Sequence, residues 1–372
     1  MLKFAFVLEQ TLGHVSHARN IRRALDQHGD EIAATVIPID YRPPRGPLGA
    51  LPGVRTWSFQ ASWRARQELG RRIGQETFQA AFIHTQVASL LAGGLMRRVP
   101  TIVSLDATPI NFDTLSSTYG HRRDADLLEL VKRNINQRVF DRAAGLVTWC
   151  RWAADSLVAD YGVAPDRVRV VHPGVDVNLF RPAGMEAGAG EAAVRILFVG
   201  GDFERKGGGD LLHAMQRLGP GVHLDVVTGG PINTPAGVSC TVHNGLVPQS
   251  PELVSLYRKA DIFALPSRGD CFPQAVAEGL ASGLPIVATS VGAIPEMVRE
   301  GVNGYLVPPG DPRSLAVALQ SLVGSAPDRR AMGQWSRVLA EQEHNADRNN
   351  AQIFEMMARL SPAGRALALA HA

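Results

Sequence analysis

Two carboxylates eight positions apart, Asp270 and Glu278, stand inside the segment Ser267-Arg-Gly-Asp-Cys-Phe-Pro-Gln-Ala-Val-Ala-Glu-Gly-Leu-Ala-Ser-Gly-Leu-Pro285. The apolar run Ile262–Leu265 enters it as a strand, and Pro273 fits the first position of a helix. Such a helix start leaves the backbone N–H groups of Gln274 and Ala275 free to hold an anion. Glu278, about one turn further on, is placed to accept hydrogen bonds from vicinal hydroxyls such as those of a ribose. Asp270, in the loop ahead of the helix, can reach another part of the same ligand. A second cluster, Gly200-Gly201-Asp-Phe-Glu-Arg205-Lys206-Gly207-Gly-Gly209, follows the strand candidate Val194–Val199. Glycines let backbone approach a phosphate, and Arg205 and Lys206 neutralise it. The spacing is neither that of a dinucleotide fingerprint nor that of a P-loop.

Positioning these groups takes alternating strands and helices. Leu2–Leu8, Ala33–Ile39, Ala81–His84, Thr101–Leu105 and Gly145–Trp149 are short apolar runs, with helical spacing over Gly13–Asp26. Their lengths and turns suit parallel strands covered on both faces. Asn178–Glu191, rich in Gly, Ala and Pro, reads as a linker. The alternation restarts with Val194–Val199, Val222–Thr228, Cys240–Asn244, Ile262–Leu265, Ile286–Ala288 and Tyr305–Val307. Two such sets imply an α/β protein of two doubly wound, Rossmann-like domains facing a cleft, with ligands at the carboxyl ends of the strands. The expected division is residues 1–180 and 181–340. Arg329–Leu360 is helix-like, and 361–372 reads as a loose tail.

At 372 residues the chain suits two domains, and its 45% hydrophobic content and near-zero mean hydropathy fit a soluble globular protein. No apolar run is long enough for a membrane helix, and the start is too quickly polar for a signal peptide. Cys150, Cys240 and Cys271 are far apart and lack metal or disulfide spacing, which points to the cytoplasm. Charge is uneven. Residues 1–180 hold 22 Lys and Arg against 17 Asp and Glu, and the remainder is slightly acidic. Four Arg doublets, from Arg22-Arg23 to Arg122-Arg123, lie in that first half. They make either a solvated face or a peripheral contact with an anionic inner membrane face. Aromatic residues do not interleave with them, so nucleic acid is not expected as a partner.

Here the sequence resembles the retaining GT-B glycosyltransferases of the GT4, or group 1, family. Their acidic pair is typically spaced as in E-G-F-x-x-x-x-x-E-A-x-A-x-G-x-P, and Phe272, Glu278, Ala281, Gly283 and Pro285 match. Asp270, Cys271 and Gly279 depart from it, with the spacing kept. The loop with Lys206-Gly207 is similar to the family's R-x-x-x-x-K-G, with Gly201 in place of the Arg and Arg205 offered as the substitute charge. His172-Pro-Gly-Val-Asp176 with Phe180 and Pro182, and Val291-Gly-Ala-Ile-Pro-Glu296 with Asn303-Gly304, extend the likeness, which is dense over 170–320. In the first half Gly13 fits the family's glycine-rich loop. Val103-Ser-Leu-Asp106 stands where a T-x-H-D-like stretch is common, with Leu105 at the His position. His14 and His17 have either a surface or a site role, and His84 reads as structural.

The resemblance implies a nucleotide-sugar donor, UDP- or GDP-sugar foremost. It implies no other cofactor, and an acceptor that is a glycan, a lipid-linked molecule or a small molecule; no carboxylate pair of Mg²⁺-like D-x-D character stands out in the sequence, so no metal is expected. The resemblance assigns catalysis to Arg205, Lys206, Asp270 and Asp106. Donor binding goes to Glu278, Phe272, Gln274, Ala275, Gly13 and Gly201. It also implies retention by front-face displacement, and a last helix over 341–360 crossing back to the first domain. Asp106 as a turn cap is the plainer alternative. Tyr41–Trp63 is the acceptor or membrane candidate. An epimerase or phosphorylase of the same fold is a lesser rival. The alternative of another class is a degenerate, non-catalytic member that binds nucleotide or an enzyme partner, suggested by Asp270, Gly201 and Leu105.

Overall fold

Twelve strands form two parallel six-stranded sheets in a computed structural model that describes residues 1–11, 13–40, 56–120, 126–183 and 193–361, the side chains of 117, 126 and 127 apart. The strands are β1 Leu2–Glu9, β2 Ile32–Ile39, β3 Ala80–His84, β4 Thr101–Leu105, β5 Gly145–Thr148 and β6 Val168–Val170. Then come β7 Val194–Val199, β8 Val222–Thr228, β9 Cys240–Asn244, β10 Ile262–Leu265, β11 Ile286–Thr289 and β12 Gly304–Val307. Each expected strand is present with ends within two residues. The three-residue β6, of which only Val168 is buried, is too short to carry a hydrophobic pattern.

The chain forms two compact units. The first gathers described residues of 1–114, 122–173 and 347 onward, and the second those of 115–121 and 174–346. The first sheet has the order β2-β1-β3-β4-β5-β6. Every residue of β3 and β4 is buried, as a strand covered on both faces requires. One face packs Val7, Ile83, Val103 and Leu105 under the helix Trp57–Gln75. The other packs Phe4, Phe6, Phe82 and Val147 under the helix His14–Gln27 and under Ile353, Phe354 and Met357 of the last helix, Ala346–Leu360. Phe354 meets Phe6 edge-on at 5.7 Å, and Arg23 pairs with Asp347 at 2.7 Å. The helix-like stretch Arg329–Leu360 is thus two helices, Ala326–Glu343 and Ala346–Leu360. The break falls at His344-Asn345, where Asn345 bridges to Val175 instead of continuing the helix.

The second sheet has the order β12-β11-β10-β7-β8-β9. The order turns at β7, so the loops after β7 and β10 leave neighbouring strands side by side. That is where ligands collect in open parallel sheets. Two glycines fix these loops. Gly207 has φ +76°, and a Cβ there would sit 1.9 Å from the Pro266 carbonyl oxygen. Gly292 has φ +52°, and a Cβ would meet the Asp270 carbonyl oxygen at the same distance. The Arg122-Arg123 doublet, most of Tyr41–Trp63, 184–192 of the linker region and 362–372 lie outside the described residues.

Candidate functional site

The second unit brings the two charged loops together. Lys206, ending the turn after β7, forms an ion pair with Asp270 in the loop after β10. Both side chains are largely buried, Asp270 being 5% exposed. Arg268 grips Asp210 through two hydrogen bonds of 2.9 and 2.8 Å, and its N–H donates to the Arg205 carbonyl at 2.9 Å. Loop is thereby stapled to loop. Arg205 is committed to the scaffold. Its guanidinium donates to the Gly269 carbonyl at 2.7 Å and to Asp202 at 3.2 Å, and it covers the Tyr119 ring at 4.6 Å. Gly201 faces open space, with nothing within 4 Å of a would-be Cβ. A groove of about 630 Å³ beside it is lined by Gly201, Asp202, Glu204, Thr228 and Asn233, and does not reach Lys206, Asp270 or Glu278.

The helix Gln274–Ala281 starts one residue later than the Pro273 rule places it. Pro273 is the cap, with extended backbone (φ −77°, ψ 108°), and no side chain caps the helix. The first-turn N–H groups of Gln274 and Ala275 are therefore not taken by a capping side chain. Gln274 is buried and its Nε2 has no hydrogen-bond partner among the described residues. Phe272 is buried beside the His344 ring, 6.0 Å between centroids. Glu278, 6% exposed, accepts from the Tyr257 hydroxyl at 2.9 Å. Burial pushes its carboxyl up to about 7, against the pull of that hydrogen bond. Tyr257 escapes a sequence reading because its partner lies twenty-one residues on. A tyrosine in an amphipathic helix reads as core.

The first unit holds a separate polar cluster at the carboxyl ends of β1, β3 and β4. Gly13 is the cap of the helix His14–Gln27. His14 Nδ1 lies 2.9 Å from His84 Nε2, and His14 Nε2 lies 3.7 Å from the Glu9 carboxylate. Glu9, buried, accepts from Thr11 and Thr85 at 2.5 and 2.7 Å. The His84 ring stacks on Trp149 at 4.9 Å, and His17 stands edge-on to both. Burial and the neighbouring His14 push His17 down to about 3 and His84 well below the usual histidine range. Burial pushes Asp106 up; His14 pulls the other way, and Glu9 adds to the rise. Leu105, at the family's His position, is fully buried in the hydrophobic core. Asp106 thus keeps company with His14 and Glu9. Of these, Glu9 and Trp149 had no sequence signal beyond lying at strand ends. Among the described residues no three His, Cys, Asp or Glu side chains converge as metal ligands would.

Comparison with known proteins decides the family. The model of glycosyl transferases group 1 matches residues 193–325, and that of glycosyltransferase family 4 matches 12–179. The chain belongs to the family 4 glycosyltransferases. It is similar to D-inositol 3-phosphate glycosyltransferase 1 of Catenulispora acidiphila, 34% identical over 197 residues, which are 46% of either chain. The match thus spans about half the length of such curated relatives. Among solved structures, sucrose-phosphate synthase from Thermosynechococcus elongatus superposes with a TM-score of 0.79 at 17% identity, over 97% of this chain and 99% of that one. Anabaena HepE, solved in complex with UDP and glucose, gives 0.70 at 16% identity, over 96% and 100%. At such identities the likeness establishes the fold, and the fold is GT-B with two Rossmann-like domains. In this family 4 chain the Lys206–Asp270 pair and Glu278 therefore lie in the second of the two Rossmann-like units.

Proposed function

We propose that this family 4 protein transfers a sugar from a nucleotide diphosphate donor to a hydroxyl acceptor with retention of configuration. The observation that carries the reading is the ion pair of Lys206 with Asp270 in the loop that leads into a helix without a capping side chain, the helix that carries the buried Glu278. In this reading Glu278 takes the ribose hydroxyls. Lys206 and the N–H groups of Gln274 and Ala275 take the diphosphate, and Asp270 takes sugar hydroxyls. Gln274 Nε2, buried without a partner among the described residues, gains one from the donor. Arg205 shapes the loop and adds positive potential. Phe272 and the open Gly201 border the donor.

No protein nucleophile is needed if the departing phosphate itself accepts the acceptor's proton in a front-face displacement. The barrier then falls through stabilisation of charge on the leaving diphosphate, which Lys206 supplies without metal. The acceptor side falls to the first unit, where Asp106 and His14 present hydrogen-bonding groups. HepE's complex with UDP and the relatives' name make a UDP-sugar and a phosphorylated polyol the first pair to try, with GDP-sugars next.

Calorimetric titration of the protein against UDP, GDP, ADP and TDP and their sugar conjugates tests the donor half. One nucleotide should bind, with loss in Glu278→Ala. Lys206→Ala should lower turnover by on the order of 10²–10³-fold. A folded protein that binds no nucleotide would sink the reading. Binding without turnover of any intact donor would favour the non-catalytic alternative, for which the core position of Leu105 and the scaffold role of Arg205 speak.

A peripheral membrane contact belongs to the proposal as well. The helix Asp126–Arg142 exposes Leu128, Leu130, Val131 and Ile135 beside exposed Arg133 and Arg138. No described helix is long and apolar enough to cross a membrane. Sedimentation should take the protein down with vesicles rich in phosphatidylglycerol and leave Leu130→Glu/Val131→Glu in solution. Equal partition of both would remove this contact.

A further inference from the structure

Tyr257 has one hydroxyl hydrogen and two acceptors within reach. Glu278 Oε2 lies at 2.9 Å and the Ala275 carbonyl oxygen at 3.2 Å. The hydroxyl is wholly buried, in a ring that stacks on Phe263 at 5.6 Å and meets Phe180 edge-on at 5.3 Å. The ring cannot turn away without losing that packing, so the oxygen's place is fixed. Glu278 Oε1 makes no hydrogen bond among the described residues. One carboxylate oxygen is thus tied back and the other is left over.

Two hydrogen-bond arrangements satisfy this trio. With Glu278 ionised, the Tyr257 hydrogen points to Oε2, where the charge makes the stronger bond. With a proton from solvent on Oε2, that proton points to the tyrosine oxygen, and the tyrosine hydrogen swings to the Ala275 carbonyl. Neither arrangement strands a buried polar group, a condition a buried carboxyl otherwise meets poorly. Ala275 belongs to the first turn of the helix that carries Glu278, so both acceptors ride on one rigid element.

We propose that Tyr257 is a positioning residue for the donor, passing its hydrogen between the Ala275 carbonyl and Glu278 so that the ionised carboxylate turns Oε1 to the ribose. The proposal rests on the ribose role given to Glu278 above. Tyr257 is the titratable group that acts on Glu278, whose carboxyl burial pushes up to about 7. From the neighbouring elements, Arg258 donates one N–H to the Leu179 carbonyl and Arg337 donates to the Val177, Phe180 and Ala281 carbonyls. Oε1 can accept in either form, but only the ionised carboxylate makes the stronger, charge-assisted bonds to the ribose hydroxyls. Nucleotide affinity should accordingly rise as pH increases through neutrality.

Tyr257→Phe keeps the ring packing and removes the hydrogen. Difference infrared spectra of the ligand-free protein across pH 5–9 should show a protonated carboxyl band titrating near pH 7. The band should be absent from Glu278→Gln, and its midpoint should move up in Tyr257→Phe. UDP binding, followed over the same range, should weaken roughly tenfold or more at pH 7 in Tyr257→Phe. It should lose its pH dependence in Glu278→Gln. Identical infrared midpoints in the wild type and folded Tyr257→Phe would overturn the proposal, as would the lack of a band that Glu278→Gln removes. A shifted midpoint with UDP affinity unchanged would also overturn the positioning role. UDP affinity unaltered in Glu278→Gln would instead overturn the ribose reading, leaving the infrared result to decide on the hydrogen exchange.

Discussion

At the scale of single residues, the histidine cluster carries a cost that depends on acid. His17 is buried and held neutral down to about pH 3, while in the unfolded chain it takes a proton near 6.5. Between those values the unfolded state binds more protons, so stability increases with pH. The contribution is intact above about 6.5 and is lost as pH falls toward 3. At pH 5 the loss is about 2 kcal/mol from His17 alone, and His84 adds to it in the same direction. Urea midpoints at pH 7.5 and 5 should lie further apart in the wild type than in His17→Leu. An equal gap in both would mean that His17 charges in the native state. Glu278 works with the opposite sign. Its raised carboxyl favours the folded state below the unfolded value of 4.5, and that advantage is gone once pH passes about 7.

At the scale of elements, the proposed chemistry depends on two loops meeting, and glycine decides whether they meet. Gly207→Ala puts a methyl on a residue at φ +76° and drives it into the Pro266 carbonyl. Such strain costs on the order of 2 kcal/mol or more, and the loop would yield before the sheet does. The variant should bind nucleotide weakly, with its melting temperature lowered by a few degrees. Full affinity at the wild-type melting temperature would show that the Lys206–Asp270 meeting tolerates that shift. Much of this was legible beforehand. The apolar runs of parallel strands are continuous because both faces are buried, which is why β3, β4, β10 and β11 stand out in the sequence. The Asp270–Glu278 spacing was legible because both lie on one loop-helix unit. Tyr257, Glu9 and Trp149 were not, since each acts on a partner that topology, not spacing, supplies. Arg205 shows the converse. Its charge was plain in the loop, whereas its bond to the Gly269 carbonyl could not be read from neighbours in sequence.

At the scale of the whole molecule, the second unit lies inside the sequence of the first. The first sheet closes one face only when Ile353, Phe354 and Met357 cover Phe4, Phe6 and Phe82. Removing these three side chains together exposes several fully buried rings, and each truncation of this kind costs on the order of 2–5 kcal/mol. An Ile353→Ser/Phe354→Ser/Met357→Ser variant should therefore melt its first unit well before the second. Calorimetry would register two transitions where the wild type has a shared or closer pair. A single unshifted transition would mean that the last helix is dispensable to that core.

The same nesting has a temporal side. A ribosome delivers β1 to β6 first, then the whole of 174–346, and only then the helix that seals the first sheet. At ordinary rates of translation the wait is roughly 10–35 s. During it the phenylalanines of β1 and β3 have the helix His14–Gln27 beside them but lack the cover of Ile353, Phe354 and Met357. The nascent first unit is then a natural client for a chaperone that shields apolar surface, and messages that slow translation over 174–346 should lower the yield of folded protein.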